Sequence, residues 1–417
     1  MISLIRSGKI YFVTILFLCL PSLQAEPRYL LFNVSPGRDW RQEDPSSIRP
    51  ALFHDFANTL KNAQNLDLRP GLAFTLSILQ SPSGVLIDCL QKLFQSSLDS
   101  GVPIMIALDG QNWWEERRDL WNWWDPEAPG YNPANVFNVE WTGWSPALAV
   151  KGGWRNWGTQ IRVSPAPNLA SPQFLEENRK TLSLLLPVIR DWSVSLPAEK
   201  QHLFAGLKVG WETSIGYNAY FYPDGNSFFE RWPDFDTQDP HTGLAASKGL
   251  SGGLLQLGYA AVMTAGLKDH GILTRDDIAQ VTKNYLSFLS RLAHESGINR
   301  EKIFTHQGGV CPPYEIHLPF WAALNEWSFP GWSFYWGDPE SSGDLGKQLD
   351  QAGVARWGAS EWWWPAEDAA GWADHFEKTL RFRDCRFICA YNWNQGGVES
   401  IPSALEGIEL LCRRWKE

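Results

Sequence analysis

The chain has little positive charge to spare and no place where it gathers. Lys and Arg total 36 against 46 Asp and Glu, a formal net charge of −10, and no Lys/Arg-rich run occurs. Partners held through a phosphate backbone need clustered cations, so nucleic acid is excluded as the expected partner. Cysteine is sparse, with six in the chain and no closely paired set at metal-ligand spacing, and the eight histidines are scattered. His294-Glu295 lacks the second His of a zinc-protease helix. No metal site is therefore expected. Nothing reads as a nucleotide-binding loop, so no organic cofactor is expected either. Low-complexity stretches and short-period repeats are absent, which excludes a solenoid. After residue 20 no apolar run is long enough to cross a bilayer.

What is present starts at the amino terminus. Arg6 and Lys9 precede an apolar run over 10–20, then Pro21 and a small residue at Ala25. This reads as a signal peptide over 1–25, cleaved after Ala25, rather than a membrane anchor, since the run is short of a span of roughly 30 Å. A secreted or periplasmic location and a single domain over 26–417 are the expectations. Of the cysteines that remain, Cys89, Cys311, Cys385, Cys389 and Cys412, the odd number fits no complete disulfide set. Cys385 and Cys389 share one predicted strand at about 13 Å separation, too far to bridge each other.

Tryptophan is abundant, with 24 residues, many in polar, Gly/Pro/Asn-rich contexts. An indole offers a flat apolar face and one donor, which suits sugar rings as well as it suits core packing.

Short β-rich runs alternate with helical periodicity, the mark of parallel α/β architecture. Eight strands are predicted, over 29–34, 71–76, 103–109, 207–212, 302–306, 331–336, 355–361 and 386–393. Helices are predicted over 50–62, 84–97, 173–192, 244–268 with 275–296, 317–327, 343–351, 368–380 and 403–414. Thr274-Arg275-Asp276-Asp277 supplies a capping hydroxyl followed by acids suited to a helix start. The fold expected is a (β/α)8 TIM barrel with long βα loops after strands 3 and 4, over 110–172 and 213–242. Their aromatic content suggests ordered walls around a cleft at the carboxyl ends of the strands.

Strand four ends in Gly210-Trp211-Glu212 and strand seven in Ala359-Ser360-Glu361. Each places a carboxylate at the rim where a barrel carries its active site, and opposite strands let the two converge across the mouth. Such a pair is what glycoside hydrolysis requires: one carboxyl donates a proton to the leaving oxygen while the other attacks the anomeric carbon.

At these residues the chain resembles the clan A glycoside hydrolases, (β/α)8 barrels with an acid/base Glu ending strand four and a nucleophile Glu ending strand seven. Glu212 and Glu361 match those positions. Trp393, in Ala390-Tyr391-Asn392-Trp393, matches the Trp with which the clan commonly ends strand eight and floors the sugar subsite. Trp211 stands where the clan usually has Asn, so the resemblance names neither a sugar nor a family. It implies a retaining double displacement on a β-linked glycoside, with carboxyls about 5–5.5 Å apart.

That mechanism needs Glu361 ionised and Glu212 protonated. Arg38 is a candidate to hold a carboxylate charged, and Trp211 and Tyr217 to raise the pKa of Glu212. Further rim residues suited to binding an oligo- or polysaccharide are Asp109, Trp113, His306, Trp336, Asp338 and Asn392, with loop capping or salt bridging as their ordinary alternative.

Three motifs are set aside. Gly249-Leu250-Ser251-Gly252-Gly253 spells a serine-hydrolase elbow but lacks a preceding strand. Asp234, Asp236 and Asp239 alternate as Ca2+ ligands do, without the loop's glycine and terminal Glu. Asn33-Val34-Ser35 is a glycosylation sequon placed where the barrel mouth would shield it. The rival readings are a silent glycan-binding barrel, which needs neither carboxylate, and an inverting hydrolase or polysaccharide lyase, which would give a different product.

Overall fold

Each predicted strand is a near-continuous apolar run, as expected when helices cover one face of a sheet and a closed lumen the other. The computed structural model describes residues 26–34, 44–63, 65–112, 114–156, 160–215, 256–310, 318–335, 337–341, 344–390, 392–393 and 397–415, without side chains at 154–163 and 309–310. The eight strands are β1 (Arg28–Val34), β2 (Leu68–Ser77), β3 (Ile104–Asp109), β4 (Phe204–Thr213), β5 (Ile303–Val310), β6 (Gly331–Tyr335), β7 (Arg356–Trp363) and β8 (Asp384–Ala390). They close in sequence order into one barrel, and every neighbouring pair is parallel.

The helices are α1 (Pro50–Thr59), α2 (Ser83–Ser100), α3 (Pro172–Ser195), α4 (Arg275–Glu295), α5 (Asp344–Ala352), α6 (Ala369–Arg381) and α7 (Pro402–Arg414), with a shorter turn of helix at Tyr259–Thr264. Their starts follow local chemistry. Ser171 caps α3, Asp368 caps α6, and Thr274 and Asp277 form a reciprocal capping box on α4. Of the helix predicted over 244–268 only Tyr259–Thr264 is helical among the described residues, and over 317–327 the predicted helix does not form, with a 3-10 turn at Phe320–Ala323 instead. Asn325 explains the stop, because its side-chain oxygen takes the backbone N–H groups of Trp327 and Ser328, which a helix would need.

Alternation along β1 shows how the core divides. Leu30 and Phe32 join the outer layer between sheet and helices, while Tyr29 and Leu31 point into the lumen with Met105, Phe304 and Phe387. Above this apolar plug the lumen turns polar, with Asn33, Lys208, His306 and Ser333 all buried. Asn33, the sequon residue, is 5% exposed and accepts from the Cys389 thiol at 3.0 Å, an interior role incompatible with a glycan. At the opposite end an ion cluster seals the barrel: Lys302 meets Glu26 at 2.6 Å, and Asp384 meets Arg386 at 3.0 Å and Arg356 at 3.2 Å. Burial alone would raise the Glu26 carboxyl, but the charges of Lys302, Arg386 and Arg356 hold it below its ordinary value.

The loop after β3 is ordered by its tryptophans. Trp114 donates to the Pro165 carbonyl, Trp121 to Trp114, Trp123 to Val150, Trp141 to Val136 and Trp144 to Gly271. Indoles that looked available for sugars are spent as staples, and Trp114 and Trp141 are almost fully buried. Cys385, Cys389 and Cys412 carry free thiols, and they and Cys89 are buried. Among the described residues no helix is long and apolar enough to cross a membrane, and no group of three or more His, Cys, Asp or Glu is placed to hold a metal ion.

Candidate active site

Strand β4 does not run straight to its end. Its register against β5 slips between Val209 and Thr213, with Gly210 at φ +80° and Glu212 at φ +46°. A side chain at Gly210 would place its Cβ 2.3 Å from Thr213 Oγ1, so the bend needs glycine there. A glutamate in the left-handed region is strained, and such strain persists where surrounding bonds over-determine it. Those bonds come from the loop after β3: Gln111 donates to the Ser214 carbonyl at 2.7 Å and Asn112 to that of Trp211. The bulge re-aims Glu212 toward β6 and β7.

There Glu212 Oε1 accepts two hydroxyls, Ser333 Oγ at 2.9 Å and Tyr335 Oη at 2.9 Å. Both donors sit on β6, two residues apart, so the pleat puts them on one face. Glu361, on β7, is 5% exposed, and its Oε2 accepts the Trp211 indole N–H at 2.9 Å. Tyr335, whose single hydroxyl hydrogen goes to Glu212, also favours the charged form of Glu361. Lys208, 1% exposed, lies below them, donating to the Ser360 carbonyl at 2.8 Å and standing 3.5 Å from Asn33 Oδ1.

Burial and, next, the charge of Glu212 raise the Glu361 carboxyl to about 7, while the Trp211 and Tyr335 hydrogen bonds and the Lys208 charge pull the other way. Below about pH 7 Glu361 therefore carries a proton. The expected division of labour differs here. Trp211 contacts the carboxylate of Glu361 rather than packing on Glu212, and it is Glu361 whose ionised form the buried surroundings oppose.

The other predicted rim residues scatter. Asp109 is fully buried and its carboxylate takes the backbone N–H groups of Gln111 and Asn112 at 2.9 and 3.1 Å: a loop cap, not a sugar contact. His306 is fully buried, its Nε2 2.9 Å from Ser333 Oγ, and cannot touch a sugar. Asp338 caps a turn through the N–H of Glu340 and faces Lys378 of α6 at 3.9 Å, in a surface groove between α5 and α6. Asn392 is a turn residue at φ +45°. It directs Trp393 outward, where the ring lies 5.0 Å from Phe32 and 4.7 Å from Phe56 at 5% exposure. Trp393 is thus core beneath α1 and not a subsite floor. Arg38, Trp113, Tyr217 and Trp336 lie outside the described residues, as do Asp234, Asp236, Asp239 and the Ser251 motif.

Sequence reasoning missed Ser333, Tyr335 and Lys208. Lys208 had a signal: a lone cation in Leu207-Lys208-Val209, an otherwise apolar strand, is costly unless it serves a buried charge.

No protein-family model matches the chain, and no curated protein matches it. Among solved structures it is similar to GH26A from Muricauda sp. MAR_2010_75, at 7% identity and TM-score 0.43, over 92% of this chain and 89% of that one. It is also similar to PbGH5A, a glycoside hydrolase family 5 enzyme from Prevotella bryantii B14, at 8% identity and TM-score 0.39, over 93% and 96%. An endogalactoceramidase aligns at 11% identity and TM-score 0.39, over 94% and 75%.

Proposed function

We propose that the chain is a retaining glycoside hydrolase acting on a β-linked sugar, with Glu361 as nucleophile and Glu212 as acid/base. The observation that carries this reading is that carboxyls from β4 and β7 meet at the carboxyl end of the barrel, where Trp211, next to Glu212 in the chain, donates to Glu361 Oε2 at 2.9 Å and the Glu212 charge acts on Glu361. In the first step a Glu361 oxygen bonds to the anomeric carbon, the glycosidic C–O bond breaks, and the proton of Glu212 passes to the departing oxygen. In the second, Glu212 takes a proton from water as that water attacks the same carbon and releases Glu361.

The electrostatics suit a shared proton that changes owner. Burial holds a proton on Glu361 below about pH 7, whereas Glu212 is partly exposed. A bound sugar offers its glycosidic oxygen to Glu212, which favours moving the proton onto Glu212 and the charge onto Glu361. The Trp211 indole and Lys208 stand ready to stabilise that charge. The resemblance to clan A barrels is the support for β linkage, and the amino-terminal segment is the support for a substrate met outside the cytoplasm.

A panel of nitrophenyl glycosides tests the activity and its glycone together, and proton NMR of the first product formed reads the stereochemistry. Retained β-anomer is the expected product. Inverted product, or an unsaturated sugar, would replace this mechanism by a different one.

A further inference from the structure

Behind Glu212 runs a line of groups from three successive strands: the partly exposed carboxyl of Glu212 on β4, and buried Ser333 on β6 and His306 on β5. The links are 2.9 Å from His306 Nε2 to Ser333 Oγ and 2.9 Å from Ser333 Oγ to Glu212 Oε1. His306 and Ser333 are both fully buried, so neither is placed to touch a substrate.

The direction of these bonds follows from counting hydrogens. A serine hydroxyl has one hydrogen to give. With Glu212 ionised, that hydrogen goes to Oε1, and Ser333 must accept from His306, whose proton is therefore on Nε2. The same tautomer follows from His306 Nδ1, which has no partner among the described residues. A buried lone pair left unpaired is more readily tolerated than a buried N–H without an acceptor. Burial and the nearby Lys208 charge both disfavour a second proton on the ring.

We propose that His306 is a positioning residue for Glu212, acting through Ser333: it keeps the serine hydroxyl aimed at Oε1 and so leaves Oε2 to carry the transferable proton. This rests on the glycosidase reading for its meaning, though not for its geometry. Oε1 already accepts Ser333 and Tyr335, while among the described residues no donor reaches Oε2. A proton added to the carboxyl thus goes to Oε2. The charged or titratable groups around the line are Lys208 below, Glu361 across and Tyr335 beside Glu212.

The test is a set of variants, S333A, H306L, H306Q and the double S333A/H306L, each checked for native folding by near-ultraviolet circular dichroism. The readout is the carboxyl 13C titration of the Glu212–Glu361 pair in glutamate-labelled protein. Without the Ser333 donor, Glu212 competes better for the shared proton, so the Glu361 midpoint falls from about 7, by about one pH unit. H306L should move it the same way and H306Q, which offers an amide donor in place of Nε2, should restore it. In the S333A background H306L should add nothing further.

An unmoved titration in folded H306L overturns the proposal. So does an equal shift with and without Ser333, because His306 would then act as bulk electrostatics. The carboxyl titration needs no turnover, so failure of this hydrogen-bond chain is seen separately from failure to hydrolyse any glycoside.

Discussion

Trp211 and Glu361 are 150 residues apart in sequence, yet the indole of the first donates to Oε2 of the second at 2.9 Å. Trp211 precedes Glu212, so a single dipeptide on β4 supplies one carboxyl and a hydrogen-bond donor to the other. A hydrogen bond to a charged group contributes about 1.5–3 kcal/mol, and in the proposed mechanism it is made to the charge that forms on Glu361. W211F should lower kcat/KM by roughly 10- to 100-fold and move the low-pH limb of its pH profile upward. Steady-state kinetics across pH checks this. A loss confined to KM would show that the indole only shapes the cleft.

Lys208 should act on the same charge from below. It makes no ion pair among the described residues and is almost fully buried, so its charge is felt by Glu361 through a medium of low polarity. K208M removes a stabilising cation and should raise the Glu361 midpoint above about 7. The low-pH limb of kcat/KM should climb by roughly one unit. An unmoved limb in a folded K208M protein would remove Lys208 from the account.

The raised Glu361 carboxyl has a cost for stability whose sign is fixed. Its ordinary value is 4.5 and its folded value about 7, so folding favours the protonated form. The folded state is unpenalised below pH 4.5, loses stability as pH rises from 4.5 to 7, and keeps the full penalty above 7. At 1.36 kcal/mol per unit that penalty has an upper bound of about 3 kcal/mol. E361Q should therefore match the wild type in urea unfolding at pH 4 and exceed its stability at pH 8. Equal stability at both pH values would mean that the burial of Glu361 is not opposed as described.

Trp393 separates packing from binding. Wedged against Phe32 and Phe56, it should cost about 3–5 kcal/mol of unfolding free energy when changed to Ala, with KM nearly unmoved in protein that remains folded. A raised KM at unchanged stability would return the ring to the sugar.

Why the strands could be read from sequence while much of the rim could not is a matter of range. A strand buried on both faces writes itself as a local apolar run, and all eight predicted strands are present with ends displaced by a few residues. Glu212 and Glu361 could be placed near the ends of β4 and β7 because strand ends are where a barrel exposes polar side chains. Direction is another matter. Trp393 and Asn392 follow β8, but a positive φ at Asn392 sends the indole out to α1, and no local pattern announces that turn. His306 is also near a strand end, yet its partner, a serine on the next strand, appears only once the barrel closes, whereas Asp109 is taken by N–H groups two and three residues on. The 317–327 segment kept helical periodicity while Asn325 quietly captured the backbone donors.

The most direct test of the central claim compares wild type, E361Q and E212Q on the glycoside that the wild type turns over best. E361Q should lose at least about 10⁴-fold in kcat for every leaving group, since no bond to the anomeric carbon can form. E212Q should lose about 10²–10⁴-fold where the leaving oxygen needs a proton, and far less in its first step with a nitrophenolate that does not. Turnover by E361Q at the wild-type rate, with the product anomer unchanged, would contradict the account.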